Sequence, residues 1–292
     1  MTPDLPAALT WGRLQTFLAV YDAGSVRGAA EALVVTPPAI SAAVSALEGA
    51  LGTALFTKSG RGITATESGH TFATYARSLV GLLGEAAAAV RDAERGRLRI
   101  GAVATASEYV LPPMIASFVA AYPLVELSLS VLPRDELFAA ASHHEVDLVV
   151  AGRPPHGSGL RTRATRENRL VVVGRPGLTP LSSTWLLTGQ GSGTRTTTLD
   201  LLASLEWTPP VLTLGTSGAA IAAAREGLGV TLVHERVVAE LVAAGALVEY
   251  DVPGTPLDRP WHLCTSDAPS PVARLFLAQV DAPRLPQPWT TS

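Results

Sequence analysis

The chain holds a single cysteine, Cys264, which excludes an internal disulfide and leaves too few thiolates for a sulfur-built metal site. Cys264 reads as a small buried hydrophobe. No run of about 18 uncharged apolar residues occurs, so no membrane-crossing helix is expected. The opening, MTPDLPAALTWGRLQ, has no basic region followed by an apolar core, and the expected location is the cytoplasm. Positive charge is scarce too. Net charge is −3, and within residues 1–65 Arg13, Arg27, Lys58 and Arg61 stand against Asp4, Asp22, Glu31 and Glu48, a balance that disfavours unspecific nucleic-acid binding. There is no internal repeat, and no low-complexity tract beyond alanine richness. What the chain does have is 292 residues at 47% apolar and 16% charged, enough for more than one hydrophobic core and unlike a disordered chain.

The stretch from Gly24 to Gly62 carries the densest signals. Ser25 is placed to cap a helix on which Val26, Ala29, Ala30 and Leu33 share one face. Thr36 is a second cap, and Pro37 and Pro38 fill a first helical turn, where a missing N–H costs nothing. Ile40, Val44, Leu47 and Leu51 then form a buried stripe. About three residues join the two helices, Val34 to Thr36, as in a DNA-reading helix-turn-helix. A supporting helix from Thr10 to Ala23 precedes them and ends at Gly24. Ala54 to Phe56 and Ile63 to Ala65 read as two strands around a turn that carries Lys58 and Arg61, a wing with two phosphate contacts.

The run Gly24-Ser25, Ala29-Ala30, Thr36, Pro38-Ala39-Ile40-Ser41, Leu47-Glu48, Leu51-Gly52, Leu55-Phe56 and Thr66-Glu67-Ser68-Gly69 resembles the amino-terminal winged helix-turn-helix of LysR-type transcriptional regulators. The resemblance implies an α/β protein: a winged helix-turn-helix over 1–65, a linker helix over 66–96 that dimerises the protein, and a bilobed effector domain like periplasmic binding proteins over 97–292. Double-stranded DNA is then the partner. The reading face is Thr36, Pro38, Ser41, Ala42 and Ser45, opposite the buried stripe, with Arg27 and the wing beside it. These are small residues. The family commonly has glutamine where Pro37 stands and a longer polar residue at Ala42, so specificity is expected to lean on the wing, Arg27 and duplex shape. With so few cations a lone copy should bind weakly and gain from a second on the same duplex.

Thr64 or Thr66 caps the linker helix, with Glu67 at capping-box spacing from Thr64. Phe72, Ala76, Leu79, Leu83, Ala86 and Val90 follow at heptad steps, a seam that fits a homodimer and, through paired dimers, a homotetramer. Beyond the charged cluster 91–97, strands alternate with helices, which implies a largely parallel sheet covered on both faces. Leu98 to Val103, Val125 to Leu132 and Val146 to Ala151 read as strands, Ser107 to Ala121 and Asp135 to His144 as helices. Arg169 to Gly174 reads as the crossover from lobe I (97–173 and 261–292) to lobe II (174–260), and Trp261 to Thr265 as the return.

Three segments put hydroxyls at helix starts after strands: Thr105 and Ser107; Ser192, Gly193 and Thr194; and Thr216 and Ser217. Helix starts offer unpaired N–H groups and partial positive charge, so an anion between the lobes could be held there, with Arg153 and Arg195 as complementing cations. Capping is the plainer role for each hydroxyl taken singly. The GSGTR segment, Gly191 to Arg195, also resembles LysR-type regulators similar to the CO2-fixation regulator, which implies a phosphorylated or carboxylated effector. His234, at a helix start near the cleft, is open to a ligand, capping or core role. No dinucleotide fingerprint, nucleophile elbow or metal-ligand spacing is found, so neither enzyme activity nor a cofactor nor a metal is expected. A cytoplasmic solute-binding protein without a DNA role is the alternative, though it leaves residues 1–65 without purpose.

Overall fold

In the computed structural model, residues 9–59, 62–89, 95–280 and 289–291 are described, without the side chains of Glu85, Ala88 and Ala89. Arg61, Val90, the boundary cluster at 91–94 and most of the carboxy-terminal tail lie outside them. The chain divides into two compact units, residues 1–90 with 143–145, and the remainder.

In the first unit, α1 (Trp11–Ala23) begins at Thr10, whose hydroxyl accepts from the Arg13 N–H, and ends on Gly24 in the left-handed region, φ 59°. Ser25 caps α2 (Val26–Leu33) through the Gly28 N–H at 3.1 Å. Val34 then takes a left-handed backbone, φ 55°, although β-branched, and turns the chain so that α3 (Pro37–Leu51) makes an angle of 109° with α2. Thr36 precedes α3 without a side-chain cap bond, and the two prolines preset the first turn. Ile40, Val44 and Leu47 are buried beneath α3, with Leu51 half-buried. Phe17 is fully buried and meets Phe56 at 5.2 Å and the edge of Phe72 at 4.9 Å.

The first wing strand is shifted from the Ala54–Phe56 read in the sequence, and both strands reach further into the turn: β1 (Phe56–Ser59) and β2 (Gly62–Ala65) pair antiparallel from Phe56–Ala65 to Ser59–Gly62, which moves Lys58 from the turn onto β1 opposite Ile63. The Glu48 carboxylate of α3 accepts from the Leu55 and Phe56 N–H groups at 2.8 and 3.2 Å, so the third helix fixes where the wing starts. Thr66, not Thr64, caps α4 (Glu67–Ala89), accepting from the Gly69 N–H at 3.0 Å, because Thr64 is committed to β2. Gly69 packs against the same turn, and a Cβ there would collide with the Leu55 carbonyl oxygen. Gly69→Ala is therefore expected to cost about 2 kcal/mol or more, read as faster amide hydrogen exchange confined to the first unit.

The proposed dimer seam needs correction. Phe72 and Ala76 turn into the core of their own unit beside Leu14, Phe17, Leu47 and Leu55, because the first half of α4 supplies the wall on which α1 rests. Exposed on α4 are Tyr75, Leu79, Leu82, Leu83 and Ala86.

The second unit holds two six-stranded sheets. In one, β3 (Arg97–Ala102) runs parallel to β4 (Glu126–Val131) and β5 (Leu148–Ala151), while β13 (Trp261–Thr265), β6 (Arg161–Arg166) and β14 (Thr290–Thr291) complete the order β14-β6-β13-β5-β3-β4 by antiparallel pairing. In the other, β8 (Trp185–Leu187) lies parallel to β9 (Val211–Thr213) and β10 (Val230–His234), and β7 (Arg169–Gly174) is antiparallel to β10, β11 (Val248–Tyr250) and β12 (Leu257–Asp258). Both sheets are mixed, not largely parallel. The strands that enter from the other lobe come in against the grain.

β7 belongs wholly to the second sheet, with Leu170 and Val172 in one core and Val171 and Val173 in the other. The outward crossover is consequently residues 167–168 and the return residues 259–260, earlier than the 173/174 boundary read from the sequence. The helix expected over Ser107–Ala121 is two helices, α5 (Ala104–Tyr109) and α6 (Leu111–Ala121), because Pro112 and Pro113 start a new first turn. The remaining helices are α7 (Arg134–Ser142), α8 (Gly193–Ser204), α9 (Ser217–Arg225), α10 (Glu235–Ala243) and α11 (Pro271–Ala278). No single helix among the described residues is long and apolar enough to cross a membrane.

Candidate functional site

On α3 the paired prolines set the helix start, and the Ile40/Val44/Leu47 stripe fixes its rotation. Thr36, Pro38, Ser41, Ala42 and Ser45 are all exposed as a result. Lys58 is exposed on β1, and Arg27 is exposed on α2, where its Nε donates to Glu31 at 3.1 Å. No guanidinium projects from the α3 face itself, so its chemistry is hydroxyl hydrogen bonding and methyl contact.

In the second unit the strand ends of both sheets open on a cavity of ≈ 120 Å³. The three hydroxyl-bearing helix starts converge on it: Thr105, Ser192, Gly193, Thr194, Thr216 and Ser217 all line it. Thr105 Oγ1 reaches Ser217 Oγ at 3.4 Å across the cleft. Of the three segments only Thr216 caps its helix by side chain, accepting from Ala219 N–H. Ser192 instead has its oxygen facing Thr188 Oγ1 at 2.8 Å, which leaves the first N–H groups of α8 without a side-chain cap.

Three expected residues lie elsewhere. Ser107 sits within α5 because that helix starts earlier, and its hydroxyl donates to the Ala104 carbonyl at 2.7 Å. Arg195 folds back along α8 and donates to the Thr188 carbonyl at 3.1 Å and Thr213 Oγ1 at 3.0 Å. Arg153 is exposed beyond the end of β5; only its carbonyl takes part, accepting from Arg134 at 2.8 Å.

Among the described residues, the cations lining the cavity are Arg134 and Arg259, which the sequence pattern did not single out. Arg134 is held by the Arg153 carbonyl and by stacking its guanidinium 5.0 Å from the Phe138 ring. Arg259 leaves the return crossover and donates to Thr197 Oγ1 on α8. Burial, and then the neighbouring Arg134 charge, push the Arg259 pKa down. Asp200 opposes that shift at Arg259, and Asp135 pairs with Arg134 at 3.5 Å; the two guanidiniums still face one cavity, where an anion would be shared between them. No carboxylate is among the described residues lining the cavity. His234 and Trp261 complete one wall, their rings stacked with centroids 4.6 Å apart. Burial and the Arg259 charge press His234 down to about 4, so the ring is neutral at pH 7. One rule, that a cation in a crossover between lobes faces the cleft, finds Arg259; nothing in the sequence marks Arg134.

A winged helix-turn-helix followed by a long helix and a two-sheet α/β domain defines the class: a helix-turn-helix regulator with an effector domain. The chain belongs to the LysR family of transcriptional regulators. Residues 11–70 match the bacterial regulatory helix-turn-helix protein, lysR family, and residues 91–282 match the LysR substrate binding domain. The HTH-type transcriptional regulator CfxR of Cupriavidus necator is 32% identical over 88% of this chain and 85% of its own. A full-length cysteine-to-aspartate variant of OxyR from Pseudomonas aeruginosa shares the fold at a TM-score of 0.69 and 21% identity, over 93% of this chain and 94% of its own. The regulatory domain of Synechocystis PCC6803 CcmR, solved in complex with 2-PG, is similar at 25% identity and a TM-score of 0.56, over 65% of this chain and 99% of its own. The family is not enzymatic.

Proposed function

We propose that this regulator reads its operator through the exposed Thr36–Ser45 face of α3, with Arg27 and the wing residues Lys58 and Arg61 on the flanking phosphates, and that a small anionic metabolite between the two sheets shifts its grip. The observation that carries the anionic reading is the cleft itself: two guanidiniums, that of Arg259 partly desolvated, and uncapped helix-start N–H groups, with no lining carboxylate among the described residues. The CcmR complex with 2-PG supports a ligand in the corresponding domain of a relative. The effector residues are then Thr105, Ser192, Gly193, Thr194, Thr216 and Ser217 together with Arg134 and Arg259. Coupling is a population shift, which requires the ligand to bind one arrangement of the lobes better than the other. A DNA partner implies a cytoplasmic protein.

The functional form in this reading is a homodimer paired along α4. Tyr75, Leu79, Leu82 and Leu83 are exposed there and need cover. The double variant Leu79→Glu, Leu83→Glu is expected to sediment as a folded monomer where the parent sediments as a dimer or larger, and to bind duplex at least about tenfold more weakly through loss of the second copy.

The test of the whole reading is a melting screen over organic acids and sugar phosphates, followed by gel shift on the protein's own upstream region with each stabilising compound. A compound that raises the melting temperature and changes the protein–DNA complex supports the reading. Stabilisation by neutral or cationic compounds alone contradicts it.

A further inference from the structure

The wall of the cleft formed by His234 carries a second piece of information, its protonation pattern. Asn168 lies in the outward crossover and Arg259 in the return, and the two are joined twice: Arg259 N–H donates to the Asn168 carbonyl at 2.8 Å, and Asn168 Nδ2 donates to the Arg259 carbonyl at 2.8 Å. The second bond orients the side-chain amide, because a carbonyl accepts only, so the end that faces it must be the NH2. That same nitrogen lies 2.7 Å from His234 Nδ1. An amide nitrogen offers hydrogens and no lone pair, so Nδ1 must be the acceptor, and a neutral imidazole whose Nδ1 accepts carries its proton on Nε2. A cationic ring would set N–H against N–H. The depressed His234 pKa, about 4, agrees with the neutral form.

The ring plane is fixed as well. It stacks on Trp261, two residues beyond Arg259, at an interplanar angle of 26°. Both rings line the cavity alongside Arg259 and Arg134, and among the described residues no acceptor is bonded to Nε2.

We propose that His234, locked by Asn168 as the Nε2–H tautomer, is a ligand-contacting donor that selects an oxyanion, phosphate or carboxylate, whose oxygen bridges it and Arg259. This rests on the anion-binding reading of the cleft. Asn168 is the positioning residue: it never meets the ligand and acts through the imidazole. A neutral donor adds hydrogen bonding without charge, so the positive charge facing the ligand is that of the Arg134 and Arg259 guanidiniums, a group that does not titrate near neutral pH. Affinity for an anion that does not itself titrate between about pH 5.5 and 8 should therefore be flat across that range.

Sulfate is such an anion and serves as the probe, with the full-length protein labelled at histidine nitrogens. Expected are a His234 imidazole that reports a neutral ring protonated at Nε2 across that range, an Nε2 resonance that moves on adding sulfate, and a flat pH profile of sulfate affinity. His234→Phe keeps the stack on Trp261 and removes the donor; sulfate binding should weaken by about 10- to 100-fold, the range of a hydrogen bond to a charged group. Asn168→Ala should weaken it less and mix the two tautomers in the nitrogen spectrum, a change that loss of packing alone does not produce. Proton on Nδ1, a cationic ring, or unaltered sulfate affinity in His234→Phe overturns the proposal. If sulfate binds the parent and fails on Arg259→Ala while His234→Phe binds normally, only the donor role falls. If sulfate leaves the parent's Arg259 and His234 signals unmoved even at high concentration, the anion reading of the cleft fails and this proposal with it.

Discussion

Ala42→Glu should leave the protein folded and weaken its binding to operator DNA by about 100-fold or more at low salt. Ala42 is exposed on α3 between Ser41 and Ser45, with nothing packed over it to be lost. Surface substitutions of this kind change stability by only about 0.5 kcal/mol in either direction, so the melting temperature should hold. A carboxylate brought against phosphates is a different matter, since juxtaposed like charges cost several kcal/mol at an interface. Few cations offset it here: Lys58 is exposed on the wing and Arg27 already pairs with Glu31. Fluorescence anisotropy with a labelled duplex reads the loss. Binding within about threefold of the parent would take α3 out of the interface.

Arg259→Ala should abolish the response to effector while leaving DNA binding without effector intact. Its guanidinium lies at the cleft, bonded to Thr197, and its removal relieves Arg134 of a like charge, so the domain should fold with little loss. Truncating one partner of a buried charge-assisted contact costs about 2–5 kcal/mol, which corresponds to a loss of affinity of about 30-fold or more. Arg195→Ala is the matched control. Its side chain is tied to the Thr188 carbonyl and Thr213 and does not itself line the cavity, so the ligand-dependent rise in melting temperature should persist. Equal loss in both variants would point to general electrostatics and not to a site.

The amino-terminal quarter was legible in the sequence because its signals are local. Ser25, Gly24 and the paired prolines each act within one turn of the chain, and the Ile40/Val44/Leu47 stripe states which face of α3 is free. The long helix is less legible. Heptad spacing joins Phe72 and Ala76 to Leu79 and Leu83, but spacing does not say that Phe72 and Ala76 turn into the core around Phe17 while the second pair is exposed. In the second unit, β6 reads RTRATR, polar with only Ala164 buried, and so gives no apolar pattern; β11 and β12 are two or three residues long. The convergence of three hydroxyl segments followed from the rule that helix starts after strands face the crevice. The two arginines did not, because they arrive from a helix start and from a return crossover far apart in sequence, and only the folded chain brings their charges together. Arg153 follows a strand end in the sequence, yet it is exposed while its carbonyl braces Arg134.

The most direct measurement places a photo-cross-linking amino acid at Ala42 and, as a control in the second unit, at the exposed Glu206, then irradiates each protein with a duplex from the region upstream of its own gene. The account predicts a covalent protein–DNA product from position 42, competed away by unlabelled duplex of the same sequence, and far less from position 206. Equal yields at the two positions, or no product from position 42 under conditions where the duplex is bound, would contradict it.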